Sequence, residues 1–158
     1  MTHPIDFWIT CGGTYTYLTV MRLAEVEARG LKPTLPAPYP APYPAPKTAL
    51  ANRICWVAEQ EPWGREFLVA SYRAWFEDGL MAGSRENLEA ALPPLGQDVD
   101  AMLALAEAPE VDAAVKANTD AARELGVFGA PTFSVGREIF WGDDRLEDAI
   151  AWAKGGAS

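Results

Sequence analysis

The sequence predicts an α/β protein in which strands and helices at the two ends of the chain enclose a long run of helices. Three observations give this prediction. The segment IDFWIT at residues 5–10 is apolar and rich in β-branched residues, which indicates a strand. Two short strands at 132–135 and 138–141, separated by a Gly-Arg turn, indicate a hairpin. Between them, a helical pattern continues from residue 48 to residue 125.

The first strand leads directly into a glycine turn and a helix. Cys-Gly-Gly at residues 11–13 breaks the strand, and Thr14 can cap a helix over 15–29. The amides and dipole at a helix start stabilise an anion, including a thiolate. The simpler interpretation of this segment is a flexible turn with a capping threonine.

A proline-rich segment follows this helix. Residues 31–35 form a short second strand at most, because Pro33 confines it to an edge. The sequence PAPYPAPYPAP at 36–46 favours an extended polyproline II strap. The functional alternative is a ligand for a polyproline-binding domain, although spacers are commoner.

The helical middle contains five predicted helices. Capping residues, prolines and glycines place them at 48–59, 62–79, 84–92, 98–107 and 109–125. We interpret Cys55 as a small core residue of the first of these helices. The clustered aromatic side chains are also expected to lie in the core: Trp56, Trp63, Phe67, Tyr72, Trp75 and Phe76.

This order of elements is typical of a thioredoxin-like fold that is split by an all-helical subdomain. We expect 158 residues to form a single domain. Its thioredoxin-like core comprises 1–35 and 127–158, its strap 36–47 and its helical insertion 48–126.

The proline before the hairpin has a particular meaning in this fold. Pro131 is expected to be cis and to face the start of the first helix, leaving the carbonyl and amide of Ala130 to pair with an extended peptide ligand. The alternative is that Pro131 only shapes the turn.

Composition and charge argue against several classes of partner. With 13 basic and 22 acidic residues, the net charge of −9 disfavours nucleic acid and anionic membranes. His3 is the only histidine, which argues against a His-rich metal site and against a Ser-His-Asp triad. Two cysteines, with no apolar run after a basic N-terminal segment, predict a cytoplasmic protein without a disulfide framework.

Three segments carry a resemblance to a known family. FGAPTFSVGREIFWGDDRLEDAIAW at 128–152, with IDFW at 5–8 and YTYL at 15–18, resembles the 2-hydroxychromene-2-carboxylate isomerases. These are relatives of kappa-class glutathione transferases and have a DsbA-like architecture. The resemblance implies a homodimer with a small-molecule substrate and glutathione as cofactor. The glutathione thiolate adds to the substrate ring, allows bond rotation and is expelled.

The resemblance also implies the site residues. Ala130 and Pro131 correspond to the pair that contacts the cysteinyl part of glutathione. Asp143 and Asp144 correspond to the positions that hold its γ-glutamyl end, at the start of the last helix. An ordinary helix cap is the alternative role for Asp143.

The turn before the first helix departs from the family pattern. The catalytic serine corresponds to Gly13, so a hydrogen bond to the glutathione sulfur worth about 1.5–3 kcal/mol is missing. Thr14 is the adjacent hydroxyl, Thr16 matches a second polar position, and Cys11 lies two positions earlier. None of them stands in the place of the serine.

Four functions follow from these observations. We expect a glutathione-dependent isomerase, and the alternatives are a kappa-like transferase for another electrophile, a thiol oxidoreductase using Cys11, and a catalytically silent binding protein. The oxidoreductase is disfavoured because there is no Cys-x-x-Cys motif and because Cys11 is expected to be buried at a strand end.

Overall fold

The computed structural model describes residues 3–29 and 48–155. The predicted second strand and the proline-rich strap lie outside these residues. The elements are β1 (Asp6–Trp8), α1 (Thr14–Arg29), α2 (Thr48–Glu59), α3 (Gly64–Phe76), α4 (Arg85–Ala91), α5 (Val99–Ala106), α6 (Pro109–Leu125), β2 (Thr132–Val135), β3 (Glu138–Trp141) and α7 (Leu146–Ala153). Single 3₁₀ turns lie at Pro93–Leu95 and Asp143–Arg145.

The three described strands form an antiparallel sheet in the order β1-β2-β3. Trp8 pairs with Thr132, and Val135 pairs with Glu138 across the hairpin. All four residues of β2 are buried, since this strand has neighbours on both sides. The predicted first strand extends beyond β1 at both ends because the ladder with β2 is only three residues long.

Local sequence signals set most helix boundaries of the insertion. The Ser84 hydroxyl accepts a hydrogen bond from the Asn87 amide at 3.2 Å, and the Asp98 carboxylate accepts one from the Ala101 amide at 2.7 Å. Gly126 ends α6 with φ of 94°, a conformation that favours glycine. The helix α3 begins at Gly64 rather than at the predicted residue 62. At Gly64 the chain passes so close to the Ala58 carbonyl that no side chain fits.

The core consists of three packed groups of side chains. One lies inside the insertion, a second joins α1 to α3, and a third lies between the sheet and α7. The expected aromatic core is confirmed for the residues that are almost completely buried: Phe67, Tyr72, Trp75 and Phe76. Trp56 and Trp63 are only half-buried. Within the described ranges, no helix is both long and apolar enough to span a bilayer.

The second core group fixes the start of α1 against the insertion. The Tyr17 ring stacks on Phe76 with a centroid distance of 4.3 Å. The Tyr72 hydroxyl donates to the Thr10 carbonyl at 2.7 Å. The turn between β1 and α1 is therefore held by α3 as well as by its own strand and helix.

Asn87 is a buried polar connection within the insertion. Its Nδ2 donates to the carbonyls of Ser71 and Leu80, both at 2.9 Å, and its Oδ1 accepts from the Ser71 hydroxyl at 2.8 Å. We expect Asn87→Ala to lower the free energy of unfolding by about 2–3 kcal/mol, because these buried groups lose their partner. Urea unfolding should show no comparable loss for the exposed control Asn118→Ala. An equal effect of the two substitutions would contradict this role.

Candidate ligand site

The turn between β1 and α1 begins the candidate site. The Gly13 amide donates to the Thr10 carbonyl at 3.3 Å, and the Gly13 carbonyl accepts from the Tyr17 amide at 3.1 Å. Gly13 is therefore the residue that precedes the helix, and Thr14 is the first helical residue. This corrects the prediction that Thr14 caps a helix starting at residue 15, since the first intrahelical bond already begins at Gly13.

One face of α2 lies along this turn. The Asn52 Oδ1 accepts a hydrogen bond from the Cys11 amide at 2.7 Å. One turn earlier, the Thr48 side chain covers Gly12, where an added Cβ would lie 2.6 Å from the Thr48 Cγ2. Residues 48, 52 and 55 share a helix face, so α2 contacts the turn at three successive points.

The third point is a disulfide bond between Cys11 and Cys55, which are separated by 44 residues. The expected burial of Cys11 is confirmed, since it is 4% exposed. The interpretation of Cys55 as a simple core residue and the expectation of no disulfide are wrong. The packing of α2 on the turn brings the two sulfurs together. The spacing of the two cysteines in the sequence does not reveal this packing. The prediction of a reducing compartment relied in part on the absence of a disulfide, so the pairing of the two cysteines no longer supports it.

A cleft of about 820 Å³ opens beside the disulfide, between β1 and the helical insertion. Its walls include Trp8, Ile9 and Cys11 on one side and Asn52, Cys55 and Trp56 on the other. The Trp8 Nε1 donates to the Ser134 hydroxyl at 2.9 Å, which fixes the orientation of this indole ring. The lining of the cleft therefore contains aromatic side chains and the disulfide.

Thr16 lies beneath the turn rather than in the cleft. It has no exposed surface, and its Oγ1 makes no hydrogen bond within the described part of the chain. A Cβ added to Gly13 would lie 2.9 Å from this oxygen. Gly13 and Thr16 therefore fit each other closely, and the Thr16 side chain has no surface open to a ligand in this structure.

The Ala130–Pro131 peptide bond is cis and lies at the start of β2. Because Trp8 pairs with Thr132, the antiparallel register places Pro131 opposite Ile9, near the end of β1. The Pro131 carbonyl accepts from the Gly142 amide at 2.9 Å. The backbone of Ala130 makes no hydrogen bond to any described residue.

The side chain of Asp143 faces α1. Its Oδ1 accepts hydrogen bonds from the Arg22 Nε at 2.8 Å and from the Thr19 hydroxyl at 2.9 Å. Arg22 is 1% exposed and also donates to both carboxylate oxygens of Glu147, at 2.7 and 3.2 Å. The Asp143 carbonyl also accepts from the Arg22 Nη2, at 2.6 Å. Asp143 thus connects the last helix to α1 through both its side chain and its backbone.

Arg22 keeps its positive charge in this buried position. Burial disfavours the charged guanidinium, but hydrogen bonds to Glu147 and the negative charge of Asp143 outweigh it, so the pKa of Arg22 is raised. Sequence reasoning missed Arg22 and Asn52. For Arg22, the available signal was a charged residue beside Val20 and Met21 on the apolar side of a helix.

Asp144 differs from its neighbour because it is exposed and makes no hydrogen bond or ion pair with described residues. It lies two residues after Gly142, whose φ of 112° is a conformation that favours glycine. The carboxylate of Asp144 is therefore available to a cationic group. Across residues 3–29 and 48–155, no group of three or more His, Cys, Asp or Glu side chains is arranged to hold a metal ion.

Several known proteins are similar to this chain in sequence or in fold. A 2-hydroxychromene-2-carboxylate isomerase of Sphingobium xenophagum is 31% identical over 81 residues, which are 51% of this chain and 42% of that protein. The matched segment thus spans less than half of that relative. The fold is similar to a solved 2-hydroxychromene-2-carboxylate isomerase, with a TM-score of 0.77, 20% identity, and coverage of 96% of this chain and 94% of the other.

A thioredoxin-like oxidoreductase from Silicibacter pomeroyi DSS-3 is also similar, with a TM-score of 0.64, 21% identity, and coverage of 97% of this chain and 87% of the other. At these identities, the solved structures establish a shared fold. The predicted thioredoxin-like fold with its helical insertion is confirmed. A family model described as "DSBA-like thioredoxin domain" matches residues 20–150. The chain belongs to the DSBA-like thioredoxin domain family.

Proposed function

We propose that this protein is a glutathione-dependent isomerase of the 2-hydroxychromene-2-carboxylate type. The observation that carries the proposal is the convergence of three backbone segments. The bond between Gly142 and Pro131 joins the start of the last helix to the segment that contains Ala130. The contacts of Asp143 with α1 bring the same helix start to the first helix. The sequence similarity to an isomerase supports the same function.

The available groups fit the chemistry of glutathione. The backbone of Ala130 offers a donor and an acceptor to an extended peptide, and it has no partner among the described residues. The exposed carboxylate of Asp144 can accept hydrogen bonds from a γ-glutamyl ammonium. When bound, glutathione would supply a nucleophilic thiolate for the isomerisation.

The protein's part in the reaction is to stabilise negative charge at the start of α1. This helix has 16 residues, and the amides of its first turn lack intrahelical acceptors. Such a helix start stabilises an anion by about 0.3–1 kcal/mol, and by up to about 2 kcal/mol where it is partly buried. Because Gly13 supplies no hydroxyl, we propose that the amides and Thr14 carry this role in this chain.

The cleft suits an aromatic-derived substrate. The half-buried indoles of Trp8 and Trp56 provide flat apolar walls, and the bond between Trp8 and Ser134 holds one of them in place. Aromatic rings stack on such surfaces with a favourable free energy of about 0.5–1.5 kcal/mol beyond simple burial.

Isothermal titration of the protein with glutathione tests the ligand. We expect Asp144→Ala to weaken binding by about 10- to 100-fold, because one charge-assisted hydrogen bond is lost. The matched control is Asp78→Ala, which removes another exposed carboxylate, at the far end of α3. The proposal is contradicted if the wild type does not bind glutathione, or if the two variants bind it equally.

An isomerisation assay with and without glutathione tests the reaction. We expect turnover of 2-hydroxychromene-2-carboxylate only when glutathione is present, and reduced turnover in Thr14→Val. Conjugation of an electrophile without isomerisation would instead support the transferase. Glutathione binding without either activity would support a binding protein, an alternative that the missing hydroxyl at Gly13 favours.

A further inference from the structure

The disulfide connects two different parts of the fold. Cys11 belongs to the turn between β1 and α1, whereas Cys55 lies in the second half of α2. Both residues line the cleft of about 820 Å³. A small molecule in this cleft therefore meets the disulfide directly.

The two sulfur-bearing residues differ in access. Cys11 is 4% exposed, packs among the residues that join α1 to α3, and has its amide bound by Asn52. Cys55 is only half-buried and lies next to Trp56 on the cleft wall. An incoming nucleophile therefore has easier access to the Cys55 sulfur, with the buried Cys11 as the leaving group.

We propose that Cys11 and Cys55 form a thiol–disulfide exchange site for small monothiols, with Cys55 as the sulfur that is attacked. This redox activity is separate from the isomerase proposal and does not depend on it. The cleft has a volume of about 820 Å³, which is within the range of small-molecule sites, so we take a small monothiol as the reaction partner.

The exchange takes place in two steps. In the first step, the thiolate RS⁻ attacks the Cys55 sulfur and forms Cys55–S–S–R, while the bond between Cys55 and Cys11 breaks. The electron pair of that bond stays on the Cys11 sulfur, which then takes a proton from water. A second RS⁻ attacks the R sulfur of the mixed disulfide and releases RSSR. The Cys55 thiolate is then protonated. Two thiols thus supply the two electrons that reduce the protein disulfide, and RSSR reverses the process.

The surroundings of Cys11 favour this direction of cleavage. Cys11 lies three residues before the first helical residue of α1, and positive potential at a helix start stabilises a leaving thiolate. The contacts of Asn52 and Thr48 with the turn do not involve sulfur, so they hold α2 in place after reduction. The two thiols therefore remain close enough to close the disulfide again.

The test exposes the wild-type protein to mixtures of reduced and oxidised glutathione, followed by acid quenching, alkylation and intact mass analysis. We expect reversible opening of the disulfide while the circular dichroism spectrum remains that of the folded protein. Mixtures of 2-mercaptoethanol and its disulfide should give the same result. Exchange with 2-mercaptoethanol shows that no specific glutathione-binding site is needed, and isomerase activity is not part of the readout.

Two single variants identify the attacked sulfur. With oxidised glutathione, Cys11→Ser should accumulate a mixed disulfide at Cys55, whereas Cys55→Ser should be modified at least about tenfold more slowly at its buried Cys11. Equal rates, or faster modification of Cys11, would overturn the assignment. A disulfide that stays closed in the folded wild type at every thiol ratio would overturn the proposal, and this result does not depend on the folding of either variant.

Discussion

Replacement of Arg22 by methionine is expected to lower the free energy of unfolding by about 3–5 kcal/mol, the usual cost of removing one partner of a buried ion pair. Methionine fills a similar volume but provides no hydrogen-bond donor. The Asp143 side chain, which is 16% exposed, then loses the Arg22 guanidinium and keeps the Thr19 hydroxyl as a donor. Glu147 is 46% exposed, so water replaces its lost hydrogen bonds more easily. Most of the loss in the free energy of unfolding therefore arises at Asp143.

Urea unfolding of matched variants measures this effect. The control is Arg85→Met, which removes an arginine that pairs with exposed Glu89 and should cost no more than about 1 kcal/mol. We expect Arg22→Met combined with Asp143→Leu to recover part of the loss, because the unpaired carboxylate is also removed. Equal stability of Arg22→Met and the control would contradict a structural role for this network.

Opening of the disulfide is expected to have the second large effect. Loop-closure entropy for the 44-residue separation predicts that the reduced protein is less stable than the oxidised protein by about 4 kcal/mol. Denaturation curves in the presence and absence of a reductant, with the protein otherwise unchanged, measure the difference. In Cys55→Ser, the reductant should have no effect. Identical curves for the oxidised and reduced wild type would contradict the prediction.

The sequence predicted those features of the fold that depend on neighbouring residues. The caps at Ser84 and Asp98 and the stop at Gly126 are local hydrogen-bond and backbone effects, so composition within a few residues is enough to find them. The hairpin at 132–141 was equally clear because two short strands flank a glycine turn. The beginning of α3 was misplaced because the close approach of Gly64 to Ala58 is a contact between separate turns of the chain.

The candidate site was predictable only in part. Ala130, Pro131 and the turn at Gly13 belong to short motifs, and the structure places them at neighbouring strand ends. The partners of Asp143 and Cys11 lie on other elements and follow from tertiary packing. An isolated sequence gives no register between these elements, so the buried network of Arg22 and the disulfide emerge only from the folded chain.

Thr16 shows a further limit of motif-based assignment. Its position matched a polar site of the resembled family, but in the folded chain its hydroxyl is covered by the turn and faces Gly13. The position of a residue in a motif predicts its element and its face. Whether its side chain reaches a ligand depends on how other parts of the chain pack over that side chain.

A crystal structure of the complex with glutathione would locate the ligand directly. We expect the tripeptide to extend along Ala130, with its ammonium within hydrogen-bond distance of Asp144 and its sulfur at the first turn of α1. Glutathione bound elsewhere, with the backbone of Ala130 left unpaired, would contradict the proposed site.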